Sequence, residues 1–188
     1  VNAFIQAYPE IEPDLDFSDR LVDVIGEGFD VVLRTGDAAD SRLMTRIVGT
    51  FHHRLVASPA YLDCRGIPIK PADLAHHACL RHRYPTTGKL EAWPLRQDRM
   101  AGTIEPPATV VASALEPLIS MAEAGLGIVS LPDFVLYEHL RTGHLVPVLS
   151  DHTEHSGVFR LLWPSSPYLS PKLRVFIEFM TANLFPPK

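Results

Sequence analysis

The feature that most constrains this chain is the alternation of strand-like and helix-like segments along its 188 residues. Phe4, Ile5 and Tyr8 have helical spacing and predict a first helix that ends at Pro9. Ile11, Pro13, Leu15 and Phe17 alternate with Glu12, Asp14 and Asp16, which is the period of a strand. Ser18-Asp19 offers an N-cap for a helix over Leu21–Gly28, with Leu21, Val22, Val24 and Ile25 on its apolar face. Phe29–Leu33 is a short apolar run suited to a strand covered on both faces, and it closes on the polar loop Arg34-Thr35-Gly36. Leu43–Ala57 predicts one long strand, and Ser58-Pro59 caps a short helix over Ala60–Asp63. Pro71–Leu74 opens a helical turn, and Cys79–Tyr84 is a strand. The stretch Pro85–Ile104 is irregular, with short strands expected near Trp93.

The pattern then becomes regular again. Val110–Ser113 predicts a strand ending on a cap, followed by a helix over Ala114–Ala124 that buries Leu115, Leu118, Ile119 and Ala122. Gly125-Leu126-Gly127 stops it ahead of a buried strand through Ser130, and Pro132-Asp133 starts a helix through Leu140. Leu145–Leu149 and Val158–Trp163 are strands. Ser170-Pro171 caps a last helix with Leu173, Val175, Phe176, Phe179 and Met180 on one side.

Alternating β and α segments imply an α/β fold with a mostly parallel sheet. Leu43–Ala57 has no helix of ordinary length after it, so the chain moves there into a second αβ unit, and Val158–Trp163 brings it back. The expected architecture is two Rossmann-like lobes joined by a two-strand hinge: 1–56 with 157–188, and 57–156. Such folds take small ligands at the carboxyl ends of parallel strands. Composition narrows the classes. With 46% hydrophobic residues and a net charge of −5, the chain is not disordered. No window approaches the ~20 apolar residues of a membrane span, and no charged-then-apolar leader stands at Val1. Lys plus Arg number 17 against 22 Asp plus Glu, with no basic run, so these residues are not expected to grip DNA themselves. Two cysteines make no disulfide framework.

Several strings in order carry a family resemblance: Tyr8-Pro9-Glu10-Ile11, Leu15-Asp16-Phe17-Ser18-Asp19-Arg20, Glu27-Gly28-Phe29-Asp30-Val31-Val32-Leu33-Arg34-Thr35-Gly36 and Val56-Ala57-Ser58-Pro59-Ala60-Tyr61-Leu62. Pro71-Ala72-Asp73-Leu74, Ala124-Gly125-Leu126-Gly127-Ile128, Leu131-Pro132-Asp133-Phe134 and Leu169-Ser170-Pro171-Lys172 continue it. The set resembles the effector-binding domain of LysR-type transcriptional regulators, whose fold is similar to type 2 periplasmic binding proteins. The resemblance implies a cytoplasmic bacterial regulator with a small-molecule effector in the inter-lobe cleft. It also implies homo-oligomers, dimeric or tetrameric at full length, and DNA contact only through an N-terminal winged helix-turn-helix. It implies too that the domain's first strand precedes Val1, between the strands at Ile11–Phe17 and Phe29–Leu33. An empty central slot would leave many buried backbone groups unpaired at about 1–3 kcal/mol each, against a total stability of ~5–15 kcal/mol. The expectation is that this strand, or another segment, fills the slot.

The residues themselves suggest ligand contacts. Arg34-Thr35-Gly36 ends a strand, where a guanidinium fork can hold a carboxylate and Gly36 lets backbone approach. The plainer alternative pairs Arg34 with Asp37 or Asp40. Ser113 begins a helix whose free N–H groups can hold an anionic or carbonyl group, or it is simply a cap. In the segment His82-Arg83-Tyr84, Tyr84 can stack on an aromatic ligand while Arg83 holds its charge. Ser58-Pro59 reads as a cap rather than a contact. The effector is therefore expected to be anionic or aromatic.

Other chemistries find less support. His52-His53, His76-His77 and His152/His155 lack metal-ligand spacing, and adjacent strand histidines face opposite ways, so surface or capping roles are expected and no metal or cofactor. Cys79 reads as core, and nothing electropositive beyond Arg65 adjoins Cys64. Gly-x-Ser-x-Gly, P-loop and His-Glu-x-x-His motifs are missing, so no catalytic residues and no enzyme are expected. The competing reading on the same fold is a periplasmic-type solute-binding protein.

Overall fold

A computed structural model describes residues 1–18, 20–35, 42–96, 105–154, 156–166 and 168–185. The chain divides into two units, Val1–Thr50 with Gly157–Lys188, and Phe51–Ser156, against the boundaries 56/57 and 156/157 expected from the pattern. It therefore passes between the units twice.

In the unit Phe51–Ser156, five strands form one mixed sheet. Strands β4 (Cys79–His82), β5 (Val110–Ala112) and β6 (Ile128–Pro132) run parallel, in the order β5-β4-β6. β3 (His53–Ala57) lies antiparallel to β6, and β7 (Val146–Val148) antiparallel to β3. The mostly parallel expectation is thus corrected. The neighbours of β3 in this sheet are β6 and β7, strands that come much later in the chain.

Both faces of this sheet are covered, which explains its uninterrupted apolar runs. Leu55, Ala57, Cys79, Ile128 and Val148 point to one face, against Tyr61 and Leu62 of α2 (Pro59–Arg65), and Leu74, Trp93 and Leu95. Val56, Leu80, Val129 and Leu131 point to the other, against Leu118, Ile119 and Ala122 of α3 (Leu115–Glu123) and Leu136 of α4 (Asp133–Arg141). Ser58 caps α2 as expected, its Oγ accepting from Tyr61 N–H at 3.4 Å, with Pro59 at the first turn. Gly127 is needed for packing. A Cβ there would stand 2.5 Å from the Ala78 carbonyl oxygen, which itself accepts from Ile128 N–H.

In the unit Val1–Thr50 with Gly157–Lys188, three strands have the order β1-β8-β2: β1 (Val32–Thr35), β8 (Gly157–Pro164) and β2 (Leu43–Phe51). β1 and β8 are antiparallel, with Arg34 opposite Arg160. The last helix, α5 (Pro171–Asn183), buries Ile177 and Met180 against Val48, Leu161 and Trp163, with Leu173, Phe176 and Phe179 partly buried beside them. Ile177, not Val175, completes that face. Ser170 caps α5, its Oγ accepting from Leu173 N–H. α1 (Asn2–Ala7) buries Phe4, whose ring meets Phe176 and Phe179 edge-on at 5.0 and 5.3 Å.

Three expectations in this unit are corrected. Ile11–Phe17 forms no strand, and its Phe17 is 84% exposed. A strand exists through its ladder, and among the described residues none pairs with this segment or with the second edge of β1. The helix expected over Leu21–Gly28 is a single turn, Val24–Gly28. Glu27 and Asp23 side chains there accept from the N–H groups of Asp23 and Gly26, and Gly28 leaves the turn at φ +76°. These local bonds replace a helical ladder. Lastly, Leu43–Ala57 is two strands broken at His52, whose N–H is 3.2 Å from Asp133 Oδ1.

Candidate functional site

The site grows from the carboxyl end of β4. Beyond His82 the chain turns back on itself: Arg83 bridges Leu90, Tyr84 N–H donates to Lys89 O at 2.9 Å, and Glu91 N–H donates to His82 O at 2.8 Å. Gly88, at φ +67°, permits the return, its N–H donating to Tyr84 O. This register sets Glu91 against His82 and Tyr84. His82 Nδ1 stands 3.0 Å from Glu91 Oε2, Tyr84 O–H donates to Glu91 Oε1 at 2.7 Å, and the two rings meet edge-on at 5.3 Å.

A second element reaches the same carboxylate. β3 starts opposite the end of β6, with His53 across from Pro132. His53 is buried, and its Nε2 lies 3.7 Å from Glu91 Oε1. Its Nδ1 lies 3.5 Å from Ser130 Oγ, a residue only 3% exposed.

The electrostatics follow from this crowding. Burial pushes Glu91 upward, but the hydrogen bonds from His82 and Tyr84 and the charges of His53 and His82 outweigh it, and its pKa lies below the ordinary carboxylate value. Glu91 is therefore a carboxylate that only accepts, so His82 carries its proton on Nδ1. Burial first, then the bond to Glu91, push the Tyr84 phenol up, keeping it neutral.

Arg81 supports the arrangement from below. It is fully buried, donates to Pro106 O at 2.6 Å and Glu91 O at 2.9 Å, and lies over the Trp93 ring at 5.6 Å. A buried guanidinium used this way fixes the two segments that frame the strand ends.

Two cavities open here. One, of about 420 Å³, is lined by His53, Tyr84, Thr87, Lys89, Glu91 and the apolar trio Leu90, Ala92 and Pro94. The other, of about 570 Å³, lies beside it along β3 and is lined by His52, His53, Arg54, Leu55, Val148 and Ser150, among others. His53 stands in the wall of both.

Three of the residues singled out from sequence meet at these strand ends. His82 and Ala112 are register partners, so Arg83 and Ser113 follow them side by side, and Arg83 N–H donates to Ala112 O at 2.9 Å. Tyr84 comes next, 41% exposed, its ring toward His82 and its hydroxyl on Glu91. Ser113 is not the helix cap; Ala114 holds that position without a side-chain bond, and Ser113 is exposed. Arg34 and Thr35 lie on β1, in the other unit, and Gly36 falls outside the described residues, as do Asp37 and Asp40.

Sequence reasoning missed His53, Glu91, Arg81 and Ser130. A signal existed: His53, Arg81 and Ser130 continue the alternation of Leu55, Cys79 and Ile128, so they are polar residues on a buried face. The surface role expected for the histidines is corrected for His53, while His52 is exposed, as opposite faces require. His155 falls outside the described residues. Among the described residues, no group of three or more His, Cys, Asp or Glu could hold a metal ion.

Ser130, His53 and Glu91 stand in the order of a hydrolytic triad. Their separations are 3.5 and 3.7 Å, but Ser130 is buried and lines neither cavity, so its hydroxyl faces no recess that could hold a substrate. What the arrangement offers is a preorganised acceptor beside an apolar recess.

The family model of the LysR substrate binding domain matches residues 1–184. The transcriptional regulator CrgA of Neisseria meningitidis serogroup B is 32% identical over 182 residues, covering 96% of this chain and 60% of that protein. An HTH-type transcriptional regulator of Haemophilus influenzae is 31% identical over 170 residues, covering 90% and 58%. The solved structure of the CrgA regulatory domain from Neisseria meningitidis superimposes with a TM-score of 0.85 at 31% identity, over 98% of this chain and 89% of that one. Full-length AphB, a virulence activator of Vibrio cholerae, gives 0.82 at 32% identity, over 96% and 61%. The chain thus spans about three-fifths of the curated relatives it matches.

Proposed function

This chain belongs to the LysR substrate-binding domain family, and we propose on that premise that it senses a small organic effector and passes the signal to a DNA-binding domain. The relatives are transcriptional regulators and not enzymes, which favours regulation over the solute-binding alternative. The observation that carries the reading is the cavity lined by Tyr84 and Glu91 beyond the carboxyl end of β4, with Arg83 and Ser113 side by side at the adjoining parallel strand ends. Arg34 and Thr35 of β1, with Gly36 next to them in sequence, are proposed as further ligand contacts. Binding would favour one conformation or one packing of a homo-oligomer, and the DNA-binding part would read that out in the cytoplasm.

The test is a thermal-shift screen of small organic acids, amines and aromatics against the chain. Any compound that raises the melting temperature saturably is then assayed on the Arg34→Ala, Arg83→Ala and Ser113→Ala variants. The expected result is binding without consumption, weakened in variants that remain folded. A compound chemically converted on incubation, or unchanged affinity in all three variants, contradicts the proposal.

A further inference from the structure

The expected ligand class was anionic or aromatic, and the cavity in the unit Phe51–Ser156 points elsewhere on charge. Its inner wall carries Glu91, whose side chain is only 15% exposed and whose pKa is held low. A ligand carboxylate pressed against an ionised, mostly buried carboxylate meets repulsion that solvent screens poorly. A ligand N–H donor meets the reverse.

Glu91 is also held in place. Tyr84 O–H at 2.7 Å and His82 Nδ1 at 3.0 Å each use one lone pair, and His53 Nε2 at 3.7 Å is beyond hydrogen-bond reach. Each oxygen therefore keeps accepting capacity. The backbone carrying Glu91 is tied on both sides, through its N–H to His82 O and its carbonyl to buried Arg81. An acceptor fixed this way need not be ordered when the ligand arrives.

The remaining wall sets the body of the ligand. Leu90, Ala92 and Pro94 are apolar, and the Tyr84 ring offers a face that attracts cations and aromatic groups. Lys89 is exposed at the same cavity and can take an acidic group carried at the far end of the molecule.

We infer that the Glu91 cavity binds a small molecule bearing a cationic N–H donor, a primary ammonium with a compact apolar or aromatic body, through the Glu91 carboxylate. This rests on the effector-sensing reading and names the chemistry of its site.

The experiment compares three probes that share one body: 2-phenylethylamine, phenylalanine and phenylacetate. Each is titrated into the ¹⁵N-labelled chain, and the amine also into Glu91→Gln and Tyr84→Phe. The amine should shift the amides of Tyr84, Glu91 and Ala92 saturably, and phenylacetate should not. Glu91→Gln should weaken the amine about tenfold or more, since a charged hydrogen bond is lost. Tyr84→Phe, which keeps the charge, should retain the preference of amine over acid and guards against an effect of folding. Phenylalanine carries its carboxylate on the carbon that bears the ammonium, and so beside Glu91; it should shift these amides more weakly than the amine, and binding as tight as the amine's overturns the charge argument. Phenylacetate binding at these amides without the amine overturns the ammonium class and leaves the effector site standing. Shifts by none of the three overturn the cavity as an ammonium site, while the compound screen separately decides effector sensing.

Discussion

At the scale of single residues, Tyr61 shows how a side chain substitutes for secondary structure. Ala78 N–H donates to the Tyr61 hydroxyl at 2.9 Å, and that hydroxyl lies 3.1 Å from His77 Nδ1. Burial lowers the His77 pKa below its ordinary value, which favours the neutral ring beside that hydroxyl. Tyr61→Phe strands the Ala78 amide and should cost about 1–3 kcal/mol in urea unfolding. The same histidine gives a pH dependence. Its folded pKa is depressed, so below about 6.5 the unfolded chain takes up the proton first. Its contribution is complete above that value and is lost as pH falls toward the folded pKa. The melting temperature of wild type should fall through that window more than that of His77→Asn. Cys79 is pushed up to about 12 by burial, with Arg81 opposing weakly, whereas Cys64 is exposed. A thiol reagent at pH 8 should label one cysteine rapidly, and Cys64→Ser should abolish that phase.

At the scale of elements, Gly127 sets how closely β6 approaches the loop before β4. Gly127→Ala would drive a Cβ to 2.5 Å from the Ala78 carbonyl, a backbone atom that cannot swing aside. The expected loss is about 1–3 kcal/mol or more in denaturant unfolding; a neutral effect would show that the two strands can separate. Elements with local signals were legible in the sequence. Ser58-Pro59 and Ser170-Pro171 both announce helix starts, and both serines cap. Ser113 carries a similar signal, yet its helix starts after Ala114. Leu21–Gly28 has helical spacing, but Asp23 and Glu27 satisfy the backbone within a single turn. The Glu91 site was less legible for a different reason. Glu91 meets His82 and Tyr84, 9 and 7 positions away, through an irregular turn without strand or helix periodicity, and His53 reaches it from another strand through register alone. Arg83, Tyr84 and Ser113 were accessible because a strand end is a local feature.

At the scale of the molecule, the two units differ in how their strands are protected. β4 and β6 are interior strands of a five-stranded sheet with apolar layers on both faces. β1 is at the edge of a three-stranded sheet. Hydrogen exchange should therefore be slowest at the amides of Leu80 and Val129 and faster at the short outer strand Val146–Val148 of the same sheet; equal protection of all three would contradict this. The α/β class and the two crossings followed from alternation alone. The antiparallel placement of β3, which brings His53 to the site, rests on pairing with the distant β6 and β7 and had no local marker.

The central claim is that this domain binds, without converting, a small molecule at the carboxyl ends of β4, β5 and β6. The most direct measurement is an amide titration of the labelled chain with a compound that stabilises it, with the compound itself followed by NMR. Saturable shifts centred on Tyr84, Glu91 and Ser113, with the compound unchanged, are predicted. Shifts centred elsewhere in the chain, or turnover of the compound, would contradict it.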